Sequence, residues 1–313
     1  MTTGRAPGKV ILLGEHAVVY GQPAIAVPIE QVVARATVND VPAAGPQTWI
    51  EINAPDIGVS ARLDALPAQD PLRRAVELCL DAVGQAPAAS LQIIIRSSIP
   101  VAAGMGSGAA VTIALLRALS RHLGAPLDAA RQSELAFEVE KLHHGTPSGI
   151  DNSVIAFDRP VWYERASGAQ PFPITNPFIL AIADSGHAAP TSAAVAHVRQ
   201  LLEADGDRIL PIIERIGKLV LQARPAIEIG DLAALGRLMN QNHELLASLG
   251  LSTAVLDRLI QAARQAGAAG AKLSGAGMGG NIIALVPVGR HQAIRRALEA
   301  AGSAQVWMCE VGR

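Results

Sequence analysis

Two carboxylates, a lysine and a glycine-rich turn are the features of this sequence that could do chemistry together. Lys9 directly precedes the apolar run Val10–Leu13, and Glu15 and His16 follow that run after Gly14. Glu140 and Asp151 lie eleven residues apart with the turn His144-Gly-Thr-Pro-Ser-Gly149 between them, so they can converge without sharing a helix face. The stretch Pro100-Val-Ala-Ala-Gly-Met-Gly-Ser-Gly-Ala-Ala110 sits between the strand-like run Leu91–Arg96 and the helix-like run Ala109–Leu123. A helix opening leaves N–H groups without intrahelical partners and carries partial positive charge, and glycines let its backbone approach closely, so this turn suits an anion. An anion cradle, a lysine and two acids are the parts of phosphoryl transfer: one acid can hold magnesium while the other orients the attacking hydroxyl. On spacing alone, Lys9 and Glu15 also read as solvated strand-end residues, and that alternative stays open.

Other chemistries fit less well. Gly104-Met-Gly-Ser-Gly-Ala109 matches the G-x-G-x-x-A dinucleotide fingerprint, which also needs a second strand ending in an acid about 20 residues on. That window holds only Asp128, at a helix start with no strand before it. No glycine is followed by Lys and Ser or Thr at Walker A spacing. Glu140-Lys-Leu-His143 has the Glu-x-x-His spacing of helical di-iron sites, but such a site needs a second copy, and none exists; His143 and His144 read as helix-end residues. A third turn, Lys272-Leu-Ser-Gly-Ala-Gly-Met-Gly-Gly280, joins two apolar runs with four glycines in six residues. It is either a bulged hairpin or a place where the backbone passes close to something else.

The elements that must position these residues follow from pattern. With 313 residues, two domains are expected. Half the residues are hydrophobic and only 3% aromatic, so the core is aliphatic. A net charge of -1 argues against nucleic acid or an anionic membrane surface as the main partner. Two cysteines, Cys79 and Cys309, make no disulfide framework and read as buried thiols. No signal peptide and no bilayer-length apolar run is visible, so a cytoplasmic location is expected.

Strands are expected at Val10–Leu13, Val32–Val38 (with Ala34, Ala36 and Val38 on one face), Trp49–Ile52 and Phe178–Ala183, and residues 40–47 and 63–70 read as loops. Asp70-Pro71 should open a helix to about Val83. A helix after Pro126 should turn Leu135, Val139 and Leu142 to the core, with Glu140, His143 and His144 on an adjoining face. Asp151 is expected where the polar turn meets a following strand. Long helices should fill 191–266 with breaks near Asp205 and Pro225, and residues 270–311 read strand, glycine turn, strand, helix, strand. The proline-rich stretch 168–177 is the candidate boundary, giving domains 1–172 and 173–313.

Pro7–Gly21, Pro100–Ala110 and Lys272–Gly280, in this order and separation, resemble the three motifs of the GHMP small-molecule kinases. Gly14-Glu-His-Ala-Val-Val-Tyr-Gly21 and Glu140–Asn152 are most similar to the branch that acts on mevalonate, as are Asp184–Val198 and Asn242–Ile260. The resemblance implies an α+β, two-domain fold, an N-terminal mixed α/β domain with the phosphate loop followed by a ferredoxin-like α+β domain. It implies transfer of the γ-phosphoryl of ATP, with Mg²⁺, to the C5 hydroxyl of mevalonate. Lys9 and Asp151 would be catalytic, and Glu15, His16 and Thr191 would contact substrate or phosphates. Gly104, Met105, Gly106, Ser107, Gly108 and Ala109 would bind ATP phosphates, with Gly275 and Gly277 buttressing them. Glu140 would hold the metal, joined by Ser107, because Gly108 stands where the family has a magnesium-binding serine. Met278 stands where the family prefers glycine. A homodimer fits the resemblance. Two alternatives remain: a sister kinase acting on phosphomevalonate or a sugar, for which no cationic cluster is seen near Glu15 or Asp151, and a non-catalytic ligand sensor, which would need neither Lys9 nor Asp151.

Overall fold

A computed structural model of the chain describes residues 1–42, 48–100, 103–144, 148–188 and 190–312. Val101 and Ala102 of the phosphate turn, Gly145, Thr146 and Pro147 of the polar turn, and the side chains of His143 and His144 lie outside what is described. The chain forms two compact units. The first takes Met1–Gly8, Val32–Pro100 and Gly106–Asp158; the second takes Lys9–Gln31, Val101–Met105 and Arg159–Arg313. Strands β1 (Thr2–Leu13) and β2 (Ala24–Val41) contribute residues to both.

In the first unit, β3 (Ile50–Ala54) and β4 (Val59–Arg62) form an antiparallel pair. Helix α1 (Pro71–Val83) starts as Asp70 and Pro71 dictate: Asp70 Oδ1 accepts from the N–H groups of Leu72 at 2.9 Å and Arg73 at 3.1 Å. Strand β5 (Ser90–Ser97) lies between β3, with which it is parallel, and the second half of β2, with which it is antiparallel. Ile93 is opposite both Ile52 and Val38, and Leu91, Ile93, Ile95, Ala34, Ala36 and Val38 are all buried, as the alternation requires.

Helix α2 (Ser107–His122) is apolar nearly all round and forms the middle of the unit. At its side Gly4 leaves no room for a methyl, which would stand 2.2 Å from the Ala114 carbonyl oxygen. Next come α3 (Ala129–His144) and α4 (Ile150–Phe157). Arg117 of α2 ties the unit together, donating to Arg5 O at 2.7 Å, Gln132 Oε1 at 2.9 Å, and the carbonyls of Ile155 at 3.3 Å and Ala156 at 2.7 Å. The last two bonds satisfy carbonyls at the end of α4.

Two expectations fail here. The segment after Gly149 is helix α4, not a strand; a short apolar run cannot be assigned by period, and Ile150, Val154 and Ile155 bury one helical stripe. Leu142 is exposed, because the buried stripe of α3 runs through Leu135, Ala136, Val139 and Glu140, and Leu142 falls about a quarter of a turn from its centre.

The second unit continues with β6 (Val161–Glu164), which pairs with Ala24–Ala26 of β2, and β7 (Gly168–Pro171), which pairs with β6. Then come β8 (Phe178–Asp184), α5 (Thr191–Ala204), α6 (Gly206–Ile229), α7 (Leu232–Ser248), α8 (Ala254–Gln265), β9 (Gly270–Ser274), β10 (Asn281–Val286), α9 (His291–Ala300) and β11 (Gln305–Val311). The sheet is antiparallel throughout in the order β11-β8-β10-β9. Every residue of β10 is buried, so both faces of the sheet are covered.

Helix α6 does not break at Pro225 but runs on to Ile229 and ends at Gly230. Proline removes the bond to the carbonyl four residues back, that of Leu221, an exposed residue on the solvent side of the helix. Both cysteines are fully buried, and burial pushes each thiol pKa up to about 12. Among the described residues no helix is long and apolar enough to cross a membrane.

An equally tight contact brings α7 onto the start of β9, where Gly236 meets the carbonyl of Ala269, just before the strand. A methyl on Gly236 would stand 2.2 Å from that oxygen. Gly236→Ala is therefore expected to lower urea-unfolding stability by about 2 kcal/mol or more, as overpacking does. Gly206→Ala, with nothing within 4 Å of the added methyl, should leave stability unchanged or raise it by up to about 1 kcal/mol.

Candidate active site

In the first unit the glycine-rich turn ends in a helix opening at Gly106. Gly106 is the N-cap of α2 in the left-handed conformation (φ 72°, ψ 32°), a geometry that glycine adopts without steric cost. The first helical bond runs from Ala110 N–H to Gly106 O at 2.9 Å, and no side chain caps the end. The N–H groups of Ser107, Gly108 and Ala109 thus point out of the helix as donors. Beside them lies Glu140, which is buried rather than on a solvated face: a Cβ on Gly108 would stand 2.9 Å from Glu140 Oε1. Gly108 is what lets the carboxylate lie over the first turn of α2.

Asp151 is half-buried in the first turn of α4, two residues past an N-cap, Gly149, that is again left-handed. Its neighbours fix the helix. Asn152 Nδ2 donates to Ser133 O at 3.0 Å and Ser133 Oγ at 2.9 Å, and Ser153 Oγ donates to Gly149 O at 2.7 Å. Asp151 therefore projects from a rigid helix start rather than from a loose loop.

In the second unit the residues of the first and third motifs meet. Lys9 is buried, and its N–H donates to Met105 O at 3.1 Å, fastening β1 to the start of the phosphate turn. The third-motif turn braces the same place. A Cβ on Gly275 would stand 3.8 Å from Gly104 O, one on Gly280 would stand 3.4 Å from Ala103 O, and Asn281 Nδ2 donates to Ala103 O. Gly280 also zips to the turn after β8, accepting from Ser185 N–H at 2.9 Å and donating to His187 O at 2.7 Å. Thr191, exposed, is the first residue of α5 beyond that turn. The glycines here answer to close approach: a Cβ on Gly277 (φ 80°) would meet Leu251 O at 2.5 Å. Met278 holds φ 59°, a conformation that costs a side-chain-bearing residue about 1 kcal/mol, while its N–H donates to Leu251 O at 2.7 Å.

Glu15 and His16 are both buried. His16 Nε2–H donates to Ala276 O at 2.7 Å, and burial holds its pKa below the ordinary histidine value. Glu15 Oε1 accepts from the ammonium of Lys272. Burial pushes the Glu15 carboxyl above the usual range and the Lys272 ammonium below its own, each opposed by the other's charge. Lys272 was not among the candidate site residues, although a lysine between Ala271 and Leu273 in a buried strand signals an anionic partner. Asn281 was missed as well, since an asparagine at a strand start gives no sequence cue.

The sequence of this chain matches the family described as GHMP kinases N terminal domain over residues 71–158 and that described as GHMP kinases C terminal over 223–304. The mevalonate kinase of Pyrococcus horikoshii is 39% identical over 313 aligned residues, which cover 95% of this chain and 92% of that protein. Among solved structures, the L. major mevalonate kinase in complex with R-mevalonate superposes with a TM-score of 0.83 at 30% identity, covering 99% of this chain and 96% of that one. The Methanococcus jannaschii mevalonate kinase superposes with a TM-score of 0.85 at 26% identity, covering 99% and 98%.

Near Lys272, His243 of α7 is buried, and burial together with the charges of Arg264 and Lys272 lowers its pKa to about 4, against the opposing pull of Asp257, 3.4 Å away. Unfolding releases this histidine to its ordinary value of 6.5, so the unfolded state binds the extra proton between those values. Its contribution to stability is full above about pH 6.5 and is lost as pH falls toward 4. Comparing urea unfolding at pH 7 and pH 4.5, His243→Gln should lose less stability than the parent chain, by about 2–3 kcal/mol.

Proposed function

This chain belongs to the mevalonate kinase family of the GHMP kinases, and from that premise we propose that it phosphorylates the C5 hydroxyl of mevalonate from ATP, with Lys9 and Asp151 as the catalytic pair. The observation that carries the reading is the uncapped opening of α2 with Glu140 beside Gly108. Helix N–H groups invite a polyanion, while a carboxylate at the same turn repels one, and the two are compatible when a cation lies between them. Glu140 and the Ser107 hydroxyl offer hard oxygen donors suited to Mg²⁺, which commonly keeps several waters beside one or two carboxylates. Among the described residues no group of three or more His, Cys, Asp or Glu could form a fuller cage. Bound there, Mg²⁺ supplies positive charge against the phosphate oxygens.

The chain's own residues divide the remaining work. N–H groups of residues 104–109 hold the ATP phosphates, braced by Gly275 and Gly277. Glu15 and His16 orient mevalonate, and Thr191 lies near the phosphates. Asp151 takes the C5 hydroxyl proton as that oxygen bonds to the γ-phosphorus and the bond to the β-phosphate oxygen breaks. Lys9 stabilises the charge that gathers on the transferring group. Phosphoryl transfer asks mainly for positioning and electrostatics, which rigid helix starts and a braced turn provide. The division into domains 1–172 and 173–313 belongs to this proposal and is supported by the two family regions, which fall on either side of it.

A coupled assay with ATP and Mg²⁺ and a panel of mevalonate, phosphomevalonate, homoserine and galactose tests the assignment. Mevalonate should turn over and the others should not; no turnover with any would leave a ligand sensor. Asp151→Asn should keep ATP binding and lower kcat by roughly 10²–10⁴, and near-normal turnover would remove Asp151 from its role. Gly108→Ala pushes a methyl against Glu140 Oε1, so the Mg²⁺ concentration for half-maximal activity should rise several-fold with KM for mevalonate unchanged.

A further inference from the structure

Lys272 has no part in the roles given above, yet its placement is costly. β9 is the edge strand of its sheet, and on an edge a lysine ordinarily keeps its ammonium in water. Lys272 is instead 0% exposed, with its ammonium donating to Glu15 Oε1 and to the Leu273 carbonyl. By the period of two, Gly270, Lys272 and Ser274 share one face of β9. Along that face Gly270 meets α7, Lys272 meets Glu15, and Ser274 Oγ donates to Ile11 O at 2.9 Å.

Just beyond the strand, His16 Nε2 donates to Ala276 O. Three side-chain bonds thus join residues 11–16 to residues 272–276, and Lys272 supplies the charge-assisted one. From the other side the turn is held by Gly14 (φ 101°), where a methyl would stand 2.6 Å from Ala24 Cα. Glu15 Oε1 is taken up by Lys272, while Oε2 is buried with no hydrogen-bond partner among the described residues. Lys272 gives the carboxylate its side-chain hydrogen bond, beside the Glu15 backbone N–H and the more distant charge of Lys9, so its orientation depends chiefly on Lys272.

We infer that Lys272 is a positioning residue for mevalonate binding: it fixes the Glu15 carboxylate, and through it the Gly14–His16 turn, in the orientation that receives the substrate. This rests on the reading that Glu15 and His16 orient mevalonate. A lysine suits the task because its compact ammonium satisfies the carboxylate and a strand carbonyl at once. Without it a carboxylate would remain in a dry interior and the turn would move to rehydrate it.

Steady-state kinetics with mevalonate and ATP varied separately test the inference. Lys272→Met keeps the apolar stem and removes the charge. Its KM for mevalonate should rise about tenfold while KM for ATP stays within about twofold. Glu15→Gln should also raise KM for mevalonate, and adding Lys272→Met to Glu15→Gln should raise it no further, because the lysine acts through the carboxylate. The double variant buries no uncompensated charge, so it carries the comparison even where Lys272→Met alone fails to fold. A merely structural lysine would lower Tm with both KM values unmoved, or raise both together; either result, or effects that multiply in the double variant, overturns the inference. Glu15→Gln with an unchanged KM for mevalonate would instead overturn the underlying reading of the pocket.

Discussion

In the reaction we propose, gathering negative charge in one place is the constraint that the described features must meet. Triphosphate oxygens and acids that work beside them repel one another strongly wherever water is thin. The opening of α2 answers with backbone donors that carry no side chain, and Gly108 brings Glu140 against them at a distance that any side chain at 108 would deny. A Cβ at 108 would stand 2.9 Å from Glu140 Oε1 and displace the carboxylate. With glycine there, the carboxylate itself comes close to the first turn of α2.

In the second unit the same concern for placement is met by bracing. The residues at 103–105 are touched by β1 through Lys9 N–H, by Asn281 and by the glycines of the third turn, and that turn is pinned in its own right by Leu251, Ser185 and His187. Backbone atoms do most of this, which explains the density of left-handed residues from Gly275 to Gly280. Met278 accepts strain where a glycine would have none. The Leu251 carbonyl, bonded to its N–H, offsets part of that strain.

Features decided within a few residues were legible in the sequence. Asp70-Pro71 announced α1, the alternation around Ala34, Ala36 and Val38 gave a strand face, and residues 270–311 followed their expected order. Illegible features depended on distant partners. Asp151 sits on a helix rather than at a strand because Ser133 and Arg117 satisfy that segment's polar groups from other helices. Pro225 failed to end α6, where Leu221, four residues before it, is exposed. The Lys272–Glu15 pair joins residues far apart in the chain, and no local pattern announces it. The glycine turns were visible as chemistry, whereas the reason for each glycine lay in the carbonyl pressed against it.

The burial of Cys79 and Cys309 has a practical side. With thiol pKa values near 12, each holds on the order of 10⁻⁴ of its population as thiolate at pH 8. A cysteine introduced on an exposed helix face would carry roughly a thousandfold more. Maleimide dyes or spin labels would therefore find the introduced site and pass over the natural ones, so pairs of probes can report motion during turnover in a chain that keeps both of its own cysteines.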